Sequence, residues 1–177
     1  TIRELSPWLR FELMTALYGE TVKLHPFFTL VPQQVLGHIC TGSKMMIFAP
    51  GDVVVQAGQK AQCMFVVSSG RLAVLGSSGK VEAKQYIGDR CLFANNVCRK
   101  VSLVAMVHSE LLQVPRSLID DLLAEIPSFR GLWQLYQTAY RQVLATQPEA
   151  NWANAADLAV EAMAMGDVQP QGSTGIM

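Results

Sequence analysis

Residues 44–86 read KMMIFAPGDVVVQAGQKAQCMFVVSSGRLAVLGSSGKVEAKQY, and this stretch decides the fold class. Short apolar runs in it are separated by turn residues such as Pro50-Gly51-Asp52 and Gly70. Turns that recur about every 8–12 residues are typical of an antiparallel barrel or sandwich. The pattern is interrupted between Gly88 and Lys100, and strand-like runs then resume. The sequence therefore predicts an antiparallel β region with one unusual connection.

The string Gly76-Ser77-Ser78-Gly79-Lys80 superficially resembles a phosphate-binding loop. Its spacing is too short for that motif, and Val81 stands where a magnesium-binding Ser or Thr would be needed. Strand-like residues lie on both sides, so we interpret the string as a hairpin turn.

Helical periodicity precedes the β region. Ser6-Pro7 is a helix start, because Ser caps free amides and Pro at the first helical position sacrifices no hydrogen bond. We predict a helix over about residues 6–24 and a shorter one from Pro32 to near Gly42.

Helical periodicity also follows the β region. Apolar stripes predict two helices between Pro115 and Pro148, the second carrying large aromatic residues. We expect Trp133 to pack in the core. The Ala-rich tail predicts a short helix between Trp152 and Met165, followed by residues of disordered composition.

Composition limits the function. The 177 residues contain 14 Lys+Arg and 14 Asp+Glu, which argues against a nucleic-acid binder or a polybasic membrane clamp. Charged residues make up 16%, below the roughly 25% of a typical domain, so we expect a partner to cover part of the surface. No run reaches the roughly 18 apolar residues of a membrane span. The start at Thr1 lacks a secretory signal, and we expect a fragment of a longer protein.

Metal and catalytic motifs are weak. The cysteines form no C-x-x-C pair and the histidines are scattered, so we expect reduced thiols and no metal site. His108 alone lies in the sheet region, too few for a metal-dependent cupin. No G-x-S-x-G elbow occurs, although a dispersed Ser/His/Asp triad stays open.

The interrupting segment, Tyr86 to Lys100, reads YIGDRCLFANNVCRK. Gly88 lets backbone approach a ligand closely, and a short helix near 91–95 would direct free amides at an anion. Arg99 and Lys100 add positive charge. Asp89 is suited to accept hydrogen bonds from sugar hydroxyls. The alternative is a long polar loop with a solvated basic pair.

The order of these motifs resembles the cyclic-nucleotide-binding domain family over about residues 5–147. The helical stretches Leu5–Leu13 and His25–Phe28 are similar to the last C-linker helices of cyclic-nucleotide-gated, hyperpolarisation-activated and related potassium channels. The resemblance implies an α+β fold: an eight-stranded, antiparallel jelly-roll-like β-roll flanked by N-terminal helices and two C-terminal helices. We predict a helical C-linker-like segment at 1–43, the binding domain at 44–147 and a partly disordered tail at 148–177.

The resemblance also implies a ligand site. Gly88 and Asp89 match the Gly-Glu of the family's phosphate-binding cassette, Cys91 matches a cysteine found in some channels, and Arg99 matches the arginine that pairs with the cyclic phosphate. The chain departs from the pattern where Asp89 replaces Glu, Ile87 replaces Phe, and Lys100 replaces Thr or Ala. The predicted ligand-binding residues are Gly88, Asp89, Arg90, Cys91, Arg99, Lys100, Tyr140 and Leu144, of which Tyr140 and Leu144 on the last helix would act as lid residues.

The function implied by the resemblance is the cytoplasmic regulatory domain of a cation channel, expected to conduct potassium, that couples cyclic AMP or cyclic GMP to gating. The resemblance implies that this domain is not an enzyme. The resemblance implies no other cofactor, a homotetrameric parent with a transmembrane channel domain, a location at the cytoplasmic face of a membrane, and no nucleic-acid partner. A degenerate assembly domain of a channel and the regulatory domain of a cyclic-nucleotide-dependent kinase stay open. The absence of basic residues after Arg141 disfavours a helix-turn-helix transcription factor.

Overall fold

The computed structural model describes residues 4–146 and 152–166. Its helical segments are α1 (Pro7–Val22), a 3₁₀ helix (Pro26–Thr29), α2 (Gln33–Gly42), α3 (Arg90–Phe93), α4 (Arg116–Glu125), α5 (Pro127–Thr146) and α6 (Trp152–Ala164). Its strands are β1 (Lys44–Phe48), β2 (Val53–Val55), β3 (Cys63–Ser69), β4 (Arg71–Val74), β5 (Lys80–Glu82), β6 (Tyr86–Ile87), β7 (Leu103–Ala105) and β8 (Ser109–Pro115).

The strands form two antiparallel sheets of four strands, in the orders β1-β8-β3-β6 and β2-β7-β4-β5. The predicted α+β class with a β-roll and flanking helices is confirmed. The glycine-rich string between β4 and β5 is a hairpin turn, in which the Val74 amide donates to the Gly79 carbonyl at 2.9 Å. Apart from the β4–β5 hairpin, each strand lies in the other sheet from the strand before it. The two sheets enclose an apolar interior of their own.

Strand β3 separates this interior from the helices. Side chains alternate along a strand, so Phe65 and Val67 face the interior of the roll while Met64 and Val66 pack with the helices. All four side chains are at most 5% exposed. The unbroken apolar run in the sequence therefore reflects burial on both faces of this strand.

The helices pack on the outer face of that sheet. At the start of α1, Ser6 Oγ accepts from the Leu9 amide at 3.3 Å, as the capping prediction requires. The packing centres on an aromatic cluster of Phe27, Phe93, Trp133 and Tyr136. The rings of Phe93 and Trp133 stack with centroids 4.5 Å apart, and Trp133 is 4% exposed. The prediction that Trp133 packs in the core is confirmed.

Part of the predicted tail belongs to this helical layer. Helix α6 packs against α5 and the 3₁₀ helix, and Ala155, Ala156 and Ala159 are fully buried. Small side chains let the helices approach closely. The predicted tail helix is therefore confirmed as α6, whereas the predicted disordered end lies outside the described residues. The domain limits at 43 and 147 stay predictions.

Helix α1 presents apolar side chains outward. Trp8 is 69% exposed and Leu17 is 53% exposed, with Leu9 beside them also exposed. No described helix combines the length and the apolar character that crossing a membrane requires.

Candidate functional site

The candidate site is a cavity of about 500 Å³ inside the β-roll. Its volume lies within the roughly 300–1,000 Å³ of typical ligand sites. Most of its wall is aliphatic and comes from strands on both sheets and from α5: Val55, Val74, Val81, Ile87, Leu103 and Leu144. One edge is formed by residues 88–90 and 97–101, so the interruption noted in the sequence forms the polar edge of the cavity.

Gly88 permits a close approach at this edge. Its φ of +76° is a conformation that L side chains rarely adopt. A Cβ added there would overlap Nη1 of Arg99. The glycine is therefore required twice, for its backbone conformation and for the space that the guanidinium occupies.

Arg99 is held firmly at the cavity wall. Its amide donates to the Gln59 carbonyl and its carbonyl accepts from the Gly58 amide, each at 2.8 Å. Its Nη2 donates to the Cys63 carbonyl at 2.6 Å, and its guanidinium carbon lies 5.8 Å from the centre of the Phe65 ring. Within the described residues no carboxylate lies within 4.0 Å of it. The guanidinium is thus positioned and still able to take an anion.

The charges around the cavity favour an anionic ligand. Arg90, Arg99 and the exposed Lys100 all line it, against the carboxylate of Asp89. The Asp89 side chain is 2% exposed, and its Oδ2 accepts from the Tyr140 hydroxyl at 3.3 Å. Oδ2 also lies 3.6 Å from Nε2 of His25. The acidic group therefore faces the helices, which leaves the basic groups to dominate the cavity edge.

The short helix α3 offers less to an anion than expected. It spans Arg90–Phe93 rather than 91–95. The amide of Cys91 donates to Gly88 at 3.2 Å, and the amide of Leu92 donates to Asp89 at 2.8 Å. The expectation that these amides are free is wrong, because the tight turn uses them itself.

Two predicted site residues lie outside the cavity lining. Cys91 is 1% exposed, and burial raises the pKa of its thiol to about 12. Tyr140 is 4% exposed and packs on Phe93 and Tyr136. Six of the eight predicted residues therefore meet at one cavity, and these two stand behind its wall.

Two residues that support the site, Arg116 and His25, were not among the predicted site residues. Arg116 donates to the carbonyls of Cys91 and Ala94 and to Asn95 Oδ1, which ties the end of α3 to α4. His25 lies fully buried beside Asp89. Neither role has a local signal, because the partners are distant in sequence. His25 belongs to a stretch that carries the family resemblance, but nothing in that stretch indicates a contact with Asp89.

A second, more open groove of about 880 Å³ lies on the other side of Arg99. Its lining is rich in amide side chains, among them Gln59, Gln62, Asn95 and Gln113. The guanidinium of Arg116 in it is already bonded within the chain. The described residues hold no group of three or more His, Cys, Asp or Glu suited to a metal ion.

One comparison with known proteins gave a match. The search of curated proteins found no match to the chain. Residues 45–125, from β1 to the end of α4, match the family model described as the cyclic nucleotide-binding domain, which confirms the predicted resemblance to that family for this part of the chain.

Proposed function

We propose that the chain is the cyclic-nucleotide-sensing region of a cation channel, expected to be a potassium channel. The family match supports a regulatory role in binding cyclic nucleotides, and domains of this family are regulatory rather than catalytic. One observation carries the proposal to this cavity: Arg99 stands without a carboxylate partner among the described residues, at the polar edge of a cavity whose wall is mostly aliphatic.

The ligand would lie with its cyclic phosphate against Arg99 and its base among the aliphatic side chains. A charged hydrogen bond to phosphate in a partly buried site contributes about 1.5–3 kcal/mol. Leu144 would cover the base, because it is the residue of α5 that reaches the cavity. Lys100 adds charge at the exposed rim.

Cyclic AMP fits this cavity better than cyclic GMP. Among the described residues that line it, no side chain carries a hydroxyl or an amide. Guanine has more polar edge groups than adenine, and each one buried without a partner costs about 1–3 kcal/mol. We therefore expect a preference for cyclic AMP that arises from desolvation rather than from specific contacts.

The channel assignment rests on the helices before the β-roll. Helix α1 packs on α2 and contacts β3 and β8, so movement of the roll is passed to it directly. Its exposed Trp8 and Leu17 suit a face covered by the rest of a larger assembly. In this proposal the parent is a homotetramer, and the region lies at the cytoplasmic face of the membrane.

Binding is tested by calorimetry and thermal unfolding with cyclic AMP and cyclic GMP. At about 100 times its dissociation constant the ligand adds about 2.7 kcal/mol to the free energy of unfolding. Arg99→Glu should abolish this gain. Arg71→Glu is the matched control, because Arg71 is an exposed residue paired with Glu82 at 2.8 Å. No shift with either nucleotide at millimolar concentration would contradict the sensor and favour a structural domain whose pocket takes no nucleotide.

The channel assignment is tested by the sequence and the electrical activity of the longer parent protein. The sequence upstream of Thr1 should encode apolar membrane spans and a pore loop, and cyclic AMP should alter the parent's current. A parent with a kinase inhibitor sequence or a tandem β-roll in place of the spans would contradict it.

A further inference from the structure

The carboxylate of Asp89 lies among polar groups of the helical layer. The Tyr140 hydroxyl donates to Oδ2 from α5, and His25 approaches the same oxygen from the start of the 3₁₀ helix. Burial, followed by the charge of Asp89, raises the pKa of Tyr140 and of Tyr136 well above the usual value. Two phenols of α5, those of Tyr136 and Tyr140, therefore lie near the buried carboxylate of Asp89.

His25 is oriented toward this carboxylate. Its Nδ1 accepts from the Phe27 amide at 3.3 Å, which leaves the ring hydrogen on Nε2. Nε2 is fully buried and faces Asp89 Oδ2 at 3.6 Å, which is too long for a hydrogen bond, and within the described residues it makes none. The ring also packs on Tyr86 and Phe93, so it cannot turn away without breaking the cluster.

We propose that Asp89 is a positioning residue, which ties α5 and the 3₁₀ helix to the cavity edge and does not contact the ligand. It follows that the site does not recognise a ribose 2′-hydroxyl, and this second part of the inference rests on the proposed function. Rotating the carboxylate into the cavity would leave the buried Tyr140 hydroxyl without its acceptor and would remove the carboxylate that Nε2 of His25 faces. One hydrogen bond to a sugar hydroxyl does not offset that loss.

The same geometry gives the ligand a route to the helices. The residue before Asp89 is Gly88, which touches the guanidinium of Arg99. A shift of this turn on phosphate binding would move the Asp89 carboxylate, and with it Tyr140 and His25. Gly88, Asp89, Tyr140 and His25 are enough to link the phosphate site to α5 and the 3₁₀ helix.

The first arm of the test needs no ligand. Hydrogen exchange is measured in wild type and in Asp89→Ala, Asp89→Asn and Tyr140→Phe. We expect exchange in α5 and at residues 26–29 to be at least about tenfold faster in Asp89→Ala and faster in Tyr140→Phe. Asp89→Asn keeps an acceptor oxygen and should restore most of the protection. Asp52→Ala is the control, because Asp52 Oδ2 accepts from the Ala49 amide in an exposed turn.

The second arm compares cyclic AMP with 2′-deoxy cyclic AMP on wild type by calorimetry. We expect dissociation constants within about threefold of each other, whereas loss of a charged hydrogen bond would weaken binding at least about tenfold. A tenfold difference, or α5 exchange that is unchanged in Asp89→Ala and Tyr140→Phe, overturns the inference. If neither nucleotide binds, the proposed function fails, and the exchange data alone support or overturn the positioning role.

Discussion

Replacing Gly88 by alanine should separate ligand binding from folding. The residue has a φ of +76°, and an added Cβ would overlap Nη1 of Arg99. The guanidinium is the far end of a flexible side chain, so it will swing outward and the fold will persist. Gly76→Ala is the matched control, because Gly76 has a φ of +81° and an added Cβ there would meet no atom within 4 Å.

The magnitudes follow from these contacts. Both variants should lose about 1–2 kcal/mol of unfolding free energy, because alanine is strained in a left-handed conformation. Gly88→Ala should lose up to about 1.5–3 kcal/mol more if the bond from Arg99 to the Cys63 carbonyl is broken. The same displacement removes the guanidinium from the phosphate, which should weaken cyclic AMP about 10- to 150-fold.

Thermal and denaturant unfolding with cyclic AMP measures both effects. At a concentration about 100 times the wild-type dissociation constant, the ligand should add about 2.7 kcal/mol to wild type and to Gly76→Ala. For Gly88→Ala the gain should fall to about 0.3–1.4 kcal/mol. Equal gains in the two alanine variants would refute the reasoning, because Arg99 would then bind without its place against Gly88.

Three further predictions concern chemistry and packing. Iodoacetamide at pH 8 should modify the exposed Cys98 and spare Cys91, whose pKa burial raises to about 12, as followed by mass spectrometry of the folded protein. Above pH about 10 the free energy of unfolding should fall by about 1.4 kcal/mol per pH unit for each buried tyrosine near Asp89. The raised pKa keeps these phenols neutral when folded, while the unfolded chain ionises. Ala156→Leu should cost about 1–3 kcal/mol by overpacking α6 on α5.

Each of these has its own control. Labelling of Cys91 at the rate of Cys98 would contradict its burial. Tyr136→Phe removes one titrating phenol that has no hydrogen-bond partner among the described residues, so it should reduce the alkaline slope without loss of stability at pH 7. An unchanged slope would contradict the pKa argument. Glu161 lies on the exposed side of α6, so Glu161→Leu should leave the free energy of unfolding nearly unchanged. An equal loss of stability in the two leucine variants would contradict the packing of Ala156 against α5.

The local features were predictable because their signals lie within a few residues. Ser6 followed by Pro7 places the start of α1, and the glycine-rich string places the hairpin between β4 and β5. The motif order also brings Gly88 and Arg99 to one cavity edge, as the resemblance implies. Capping, turns and apolar periodicity act over short distances, so they can be read without the fold.

The Ala-rich segment shows where such reading is weak. The sequence predicts a short helix there but not its packing, whereas Ala155, Ala156 and Ala159 are fully buried against the rest of the helical layer. Alanine carries little apolar periodicity, and its burial depends on whether a neighbouring helix lies close enough. Only the position of α5 and the 3₁₀ helix supplies that surface.

By itself the sequence determined the α+β class, the β-roll and the cavity edge that carries Gly88 and Arg99. Tertiary structure alone decided which way the Asp89 side chain turns. Its neighbours Tyr140 and His25 come from segments far apart in the chain. The buried carboxylate takes the orientation in which it accepts from the Tyr140 hydroxyl and faces Nε2 of His25. A residue type predicts what a side chain is able to bind, whereas the groups buried around it determine what it does bind.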